Sequence, residues 1–134
     1  MIDFEQPLFS LFHIGNSIQA FNKRSEKKLG LSLVQWCLLK RLIDMPATPA
    51  HSLASSVGVH PSTLTQTLKR LERKKLVFVM SDPKDSRKKL VSITRSGMEL
   101  LQRTESHLKK CSQGLSILSE DLARIGSHLQ DQLI

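Results

Sequence analysis

The sequence predicts a mostly α-helical chain with one small β-hairpin, arranged as a winged helix-turn-helix lobe between N- and C-terminal helices. Three observations lead there. Apolar residues recur at spacings of three and four along most of the chain. Two helical stretches are punctuated by Gly58 and Pro61, and two β-branched segments follow them around a polar, proline-containing loop. Aromatic residues are only 4% of the total, with no Tyr, which fits aliphatic helix packing better than a β-sandwich.

The elements follow in order. In the first, about residues 4–28, Phe4, Leu8, Leu11, Phe12, Ile14, Ile18 and Phe21 form one stripe, ending in the polar run 22–28 with Gly30 as a stop signal. A second helix follows Ser32 and runs to about Met45, with Val34, Trp36, Leu38, Leu39, Leu42 and Ile43 as buried candidates, until Pro46 and Pro49 break the chain. A short helix over about 50–57 stops at Gly58, which is suited to the left-handed position past a helix end. Pro61 is pre-set for the first turn of the next helix, which runs to about Lys74. That helix is divided: Leu64, Leu68 and Leu71 lie on one side, and Ser62, Gln66, Lys69 and Arg73 on the other. Residues 77–80 and 90–93 have the content of two short strands, and residues 81–89 form the charged loop between them. Two more helical stripes close the chain. Leu101, Thr104, Leu108, Cys111 and Leu115 make the first; Leu118, Leu122, Ile125, Leu129 and Leu133 make the second, with a break near Gly114.

The 134 residues predict a single domain, its lobe at 32–97 and its terminal helices at 1–30 and 98–134. Those terminal stripes have no complete bundle to join within one chain, so they predict an intersubunit core and a homodimer.

Charge locates the partner. The net charge is +8, and residues 61–95 hold ten basic residues against three acidic ones, so a quarter of the chain carries nearly all the excess. A helix backed by leucine and faced with such residues has the diameter to enter the major groove of duplex DNA. Ser62, Thr63, Thr65 and Gln66, early in that helix, suit base edges and nearby phosphates; Lys69, Arg70 and Arg73 suit the phosphate backbone. On the hairpin, Arg87 is placed for the adjacent minor groove, while Lys84, Lys88 and Lys89 add general attraction. Asp85 carries the wrong sign for DNA, so its expected task is to accept hydrogen bonds from a neighbouring Arg and brace the loop.

Other chemistries find little support. Five scattered histidines make no HExxH, and there is no metal-spaced Cys/His cluster and no glycine-rich phosphate loop. Neither catalysis, a metal nor a cofactor is expected. Ser62 near His60 sits at a helix start, where capping and phosphate contact suffice. Cys37 and Cys111 form no CxxC pair and read as small buried hydrophobes. The acidic start Met1-Ile2-Asp3-Phe4-Glu5 is unlike a signal peptide, and no apolar run approaches a membrane span, so a cytoplasmic protein without membrane contact is expected.

The stretch from Ser52 through Gly58-Val59-His60-Pro61 to Leu71-Glu72 resembles the helix-turn-helix of the MarR family. Asp82-Pro83-Lys84-Asp85-Ser86-Arg87 and Leu90 to Gly97 resemble that family's wing and the start of its next helix, and Leu33-Val34-Gln35-Trp36 resembles the helix preceding the lobe. The resemblance is close over about residues 30–100. It implies a transcription regulator, more often a repressor, whose terminal helices intertwine in a homodimer on a pseudo-palindromic operator. It also implies that Arg87 enters the minor groove, that Asp85 braces the wing, and that a small aromatic or phenolic ligand releases DNA. Two residues depart from the pattern: His60 stands where a Ser-like cap is common, and Lys75 where Gly is frequent. The rival expectations are a winged-helix module that docks on an acidic protein and a ligand or oxidant sensor.

Overall fold

The computed structural model describes residues 5–112 and 119–132. Helices α1 (Glu5–Leu29), α2 (Leu33–Asp44), α3 (Ala50–Val57) and α4 (Pro61–Arg73) are followed by strands β2 (Val77–Asp82) and β3 (Asp85–Ile93), then helices α5 (Arg95–Ser112) and α6 (Ser119–Gln132). A two-residue strand β1 (Thr48–Pro49) precedes α3. The chain divides into two compact units, Met1–Gln102 and Arg103–Ile134. The architecture is that of a mostly helical winged fold with a small antiparallel sheet, as the sequence predicts.

The first unit is built around an aliphatic core. Leu38, Leu39 and Leu42 of α2, Leu53 of α3, Leu64 and Leu71 of α4, and Val77 and Val91 of the sheet are all buried in it. Burying each such leucine contributes about 1.5–3 kcal/mol, so these few side chains set the arrangement of the helices. Ile43, an expected core residue, is instead exposed, and Gln35 is buried. The reason is local. Gln35 completes a capping box: its Oε1 accepts from the Ser32 N–H, and its own N–H donates to Ser32 Oγ. A polar side chain that satisfies the helix start can be buried at little cost.

The polar run at the end of α1 also turns out to be structural. Asn22 Oδ1 accepts from the Leu33 N–H, Ser25 Oγ donates to the Leu31 carbonyl, and Glu26 Oε1 accepts from Gln35 Nε2. Gly30, at φ +87°, makes the corner between α1 and α2 that these bonds hold.

The sheet has the order β1-β3-β2. Val79 pairs with Val91, Ser81 with Lys89 and Asp82 with Asp85, with an irregularity between Ser81 and Asp82. The expected nine-residue loop is therefore a two-residue tip, Pro83–Lys84, and Arg87, Lys88 and Lys89 stand on a strand. Cross-strand pairing outweighs the weak β-propensity of charged side chains here. Strand β1, paired with β3 at Thr48↔Val91, is too short to leave a periodic signal.

In the second unit, Asp121 and Arg124 form an ion pair on α6. The expected stripe members Leu115, Leu118 and Leu133 and the break near Gly114 lie outside the described residues, as do the side chains of Cys111 and Leu122.

Candidate nucleic-acid interface

Helix α4 presents two unlike faces. Leu64, Thr67, Leu68 and Leu71 are buried, while Ser62, Thr63, Thr65, Gln66, Lys69, Arg70 and Arg73 are all exposed. The division predicted from spacing is the one observed. Gly58, at φ +79°, ends α3, and Pro61 occupies the first turn of α4. The tight turn between the helices therefore comes from the residue types that favour it.

His60 caps α4. Its Nδ1 accepts from the Ser62 N–H at 3.1 Å and lies 2.8 Å from Ser62 Oγ. The expected weakness of a non-Ser cap is thus offset by the imidazole, which fixes Nδ1 as the acceptor. Replacing His60 with Ala should lower stability by about 1 kcal/mol, the usual value of a lost N-cap, while His60→Ser should restore it. Chemical denaturation of the two variants checks this. Further along, Thr65 Oγ1 donates to the Pro61 carbonyl at 3.0 Å, so its hydroxyl proton is engaged within the helix.

The other end of α4 also has an explicit stop. Lys75 takes φ +62°, the left-handed position where glycine is favoured. The Leu76 N–H bonds the Leu71 carbonyl and the Lys75 N–H that of Glu72, the double closure of a Schellman motif, and Leu71 and Leu76 are both buried. The turn is made in full without glycine.

On the hairpin, Asp85 Oδ1 accepts from the Arg87 N–H at 3.1 Å and from Arg87 Nε at 3.3 Å. The Arg87 side chain is 90% exposed. Asp82 Oδ1 accepts from the Lys84 N–H at 2.9 Å and closes the tip. Residues two apart share a face of a strand. Lys89 thus continues the face of β3 on which Val91 is buried and Ile93 packs against the core, and its Nζ reaches Ser81 Oγ at 3.1 Å, while Arg87 stands in the irregular stretch between the Ser81↔Lys89 and Asp82↔Asp85 pairs. Lys88, like Lys84, is exposed.

All the basic residues singled out from sequence thus occur on the surface of the Met1–Gln102 unit. Missed from sequence were the bonds made by Glu26, Lys74 and Thr94 around this surface. Only Thr94, a hydroxyl just before a helix, carried a recognisable signal.

Two side chains near the core bear on the rival expectations. Cys37 is half-buried, and burial pushes its thiol up, with the Arg41 guanidinium pulling the other way. A raised thiol holds less thiolate at neutral pH, which disfavours Cys37 as an oxidant sensor. Trp36 Nε1 is buried and has no hydrogen-bond partner among the described residues.

A leucine-backed helix with an exposed basic face, a capped tight turn before it and a braced basic hairpin after it define a winged helix-turn-helix regulator. Comparison with known proteins gives the family. The MarR family matches residues 31–89. The chain is 33% identical over 118 residues to the HTH-type transcriptional regulator YxaD of Bacillus subtilis, covering 81% of this chain and 82% of that one. It is 26% identical over 119 residues to the homoprotocatechuate degradative operon repressor of Escherichia coli, covering 80% of each. Among solved structures, a MepR-like protein complexed with pseudoligands superimposes with a TM-score of 0.80 at 26% identity, over 99% of this chain and 97% of that one. The chain belongs to the MarR family of transcriptional regulators.

No helix among the described residues is long and apolar enough to cross a membrane.

Proposed function

We propose that the protein is a cytoplasmic repressor that binds a pseudo-palindromic operator as a homodimer, with α4 in the major groove and the β2–β3 wing beside it. One observation carries this reading: α4 buries its leucines and exposes Gln66, Lys69, Arg70 and Arg73 on one continuous side. In this reading Ser62, Thr63, Thr65 and Gln66 meet bases and adjacent phosphates. Lys69, Arg70 and Arg73 hold the backbone, Arg87 enters the minor groove, and Lys84 and Lys88 add non-specific attraction. Asp85 fixes Arg87 from within the wing. The lobe at 32–97 reads DNA and the flanking helices dimerise.

The homodimer is supported by α1. Leu8, Phe9 and Phe12 are 62–66% exposed, and Ile14, Ile18 and Phe21 are exposed as well. An apolar surface of this extent supports a contact with another chain. Repression is supported by the likeness to an operon repressor.

The test is a fluorescence anisotropy titration on random duplex DNA, then on a site recovered by random-sequence selection. Binding should weaken steeply with salt, and the recovered site should have two half-sites about one helical turn or a multiple of it apart. Gln66→Ala should alter base preference by about tenfold at one position while leaving affinity for random DNA unchanged. Binding that ignores salt favours docking on a protein instead.

A second reading concerns release. A buried indole N–H with no partner among the described residues costs about 1–3 kcal/mol if left so, and an acceptor on a small aromatic ligand would satisfy it. The structural likeness to a MepR-like protein holding pseudoligands supports such a site. Trp36 is the only tryptophan, so intrinsic emission reports on it directly. Phenolic carboxylates should change that emission at concentrations that dissociate DNA; unchanged emission with intact complexes would remove this reading.

A further inference from the structure

The turn at 74–76 joins α4 to the wing, and it is held from two sides. From one side comes the corner between α1 and α2: Lys74 Nζ donates to the Gly30 carbonyl at 3.2 Å and to Glu26 Oε1 at 3.5 Å. Glu26 is in turn fixed by Gln35, which is 2% exposed and anchored in the capping box of α2. From the other side comes the junction of β3 and α5. Thr94 Oγ1 donates to the Lys75 carbonyl at 2.7 Å, the Thr94 N–H donates to the Leu76 carbonyl at 3.0 Å, and Thr94 Oγ1 also accepts from the Gly97 N–H at 3.0 Å. Three successive residues thus tie the last turn of α4 to α1 and to the start of α5.

In the homodimer reading, helix α1 meets the second copy through its exposed apolar stripe. A shift of α1 or of the start of α5 reaches the end of α4 through these polar bonds as well as through the core that Leu31, Leu71, Leu76 and Leu101 share. We propose that the 74–76 turn is the joint that sets the placement of each recognition helix relative to α1 and the start of α5, with Lys74 and Thr94 as its positioning residues. This rests on the reading of the protein as a DNA-binding homodimer. Its function is to fix the distance and rotation between the two half-sites that one dimer reads.

The experiment compares full-length variants on two duplexes. One is the operator recovered by selection with the wild-type protein. The other carries one base pair more between the half-sites, which rotates them by about 34°. The ratio of the two affinities is the readout. Lys74→Met and Thr94→Val should lower that ratio by about 2- to 30-fold, the range expected for residues that couple two elements. Lys74→Arg and Thr94→Ser, which keep the cation and the hydroxyl, should restore it. Simple loss of a phosphate contact or of stability weakens binding to both duplexes alike and leaves the ratio unchanged, and that result overturns the proposal. So does failure of both conservative variants to restore the ratio. If Thr94→Val does not fold, the surface variant Lys74→Met decides. A wild-type protein that does not bind DNA, or whose selected site has no paired half-sites, removes the homodimer reading itself, a failure separate from unchanged variant ratios.

Discussion

Replacing Gly97 with Ala is expected to be the most damaging single-methyl change in the lobe. A Cβ at this position would stand 2.3 Å from the Leu76 carbonyl oxygen and 2.8 Å from Ile93 Cγ1. Neither neighbour can move freely. The carbonyl accepts the Thr94 N–H, and Ile93 packs against the core beside β2. Overpacking of this kind costs about 1–3 kcal/mol, and contact with a held backbone atom puts it near the upper end. For a chain of this length each kcal/mol shifts the midpoint by about 3–4 °C, so a fall near 10 °C is expected by calorimetry. Ser96→Ala, its exposed neighbour in the same turn, should stay within about 0.5 kcal/mol of wild type. A Gly97→Ala protein melting with the wild type would show that α5 and the turn before β2 can move apart at little cost.

The second large effect concerns binding. Arg87→Ala should raise the dissociation constant for the operator by about 10- to 100-fold, equivalent to about 1–3 kcal/mol, and reduce the salt slope by about one. Stability should barely change, since the side chain is 90% exposed and its ion pair with Asp85 is at the surface. Arg87→Lys should recover only part of the affinity, because an ammonium lacks the planar fork that fits a narrow groove. Equal affinity of wild type and Arg87→Ala on the selected operator would refute the minor-groove role.

Much of this was legible from residue order alone. Gly58 and Pro61 fix the turn through backbone freedom and backbone restriction, which are properties of single residues. The leucines of α4 are spaced so that only one face can be buried, and the observed burial follows that spacing. What escaped was whatever depends on pairing across the chain. The strands reach through Asp82 and Asp85 because each has a partner, although their own sequence is polar. The two-residue β1 exists only because Val91 and Leu90 offer it a ladder. Gln35 is buried because Ser32 and Glu26 meet its amide, and no periodicity reports that. The joint around Lys74 links residues 44 and 48 positions apart, beyond the reach of any local motif.

The shortness of the hairpin tip has a kinetic meaning. With the ladder running to Asp82↔Asp85 and Asp82 closing the two residues between, the arm reaches its target already in shape. Little chain entropy remains to be lost on docking, so the encounter should not wait for a loop to settle. Loosening the arm should therefore slow the formation of the bound complex as well as shorten its lifetime.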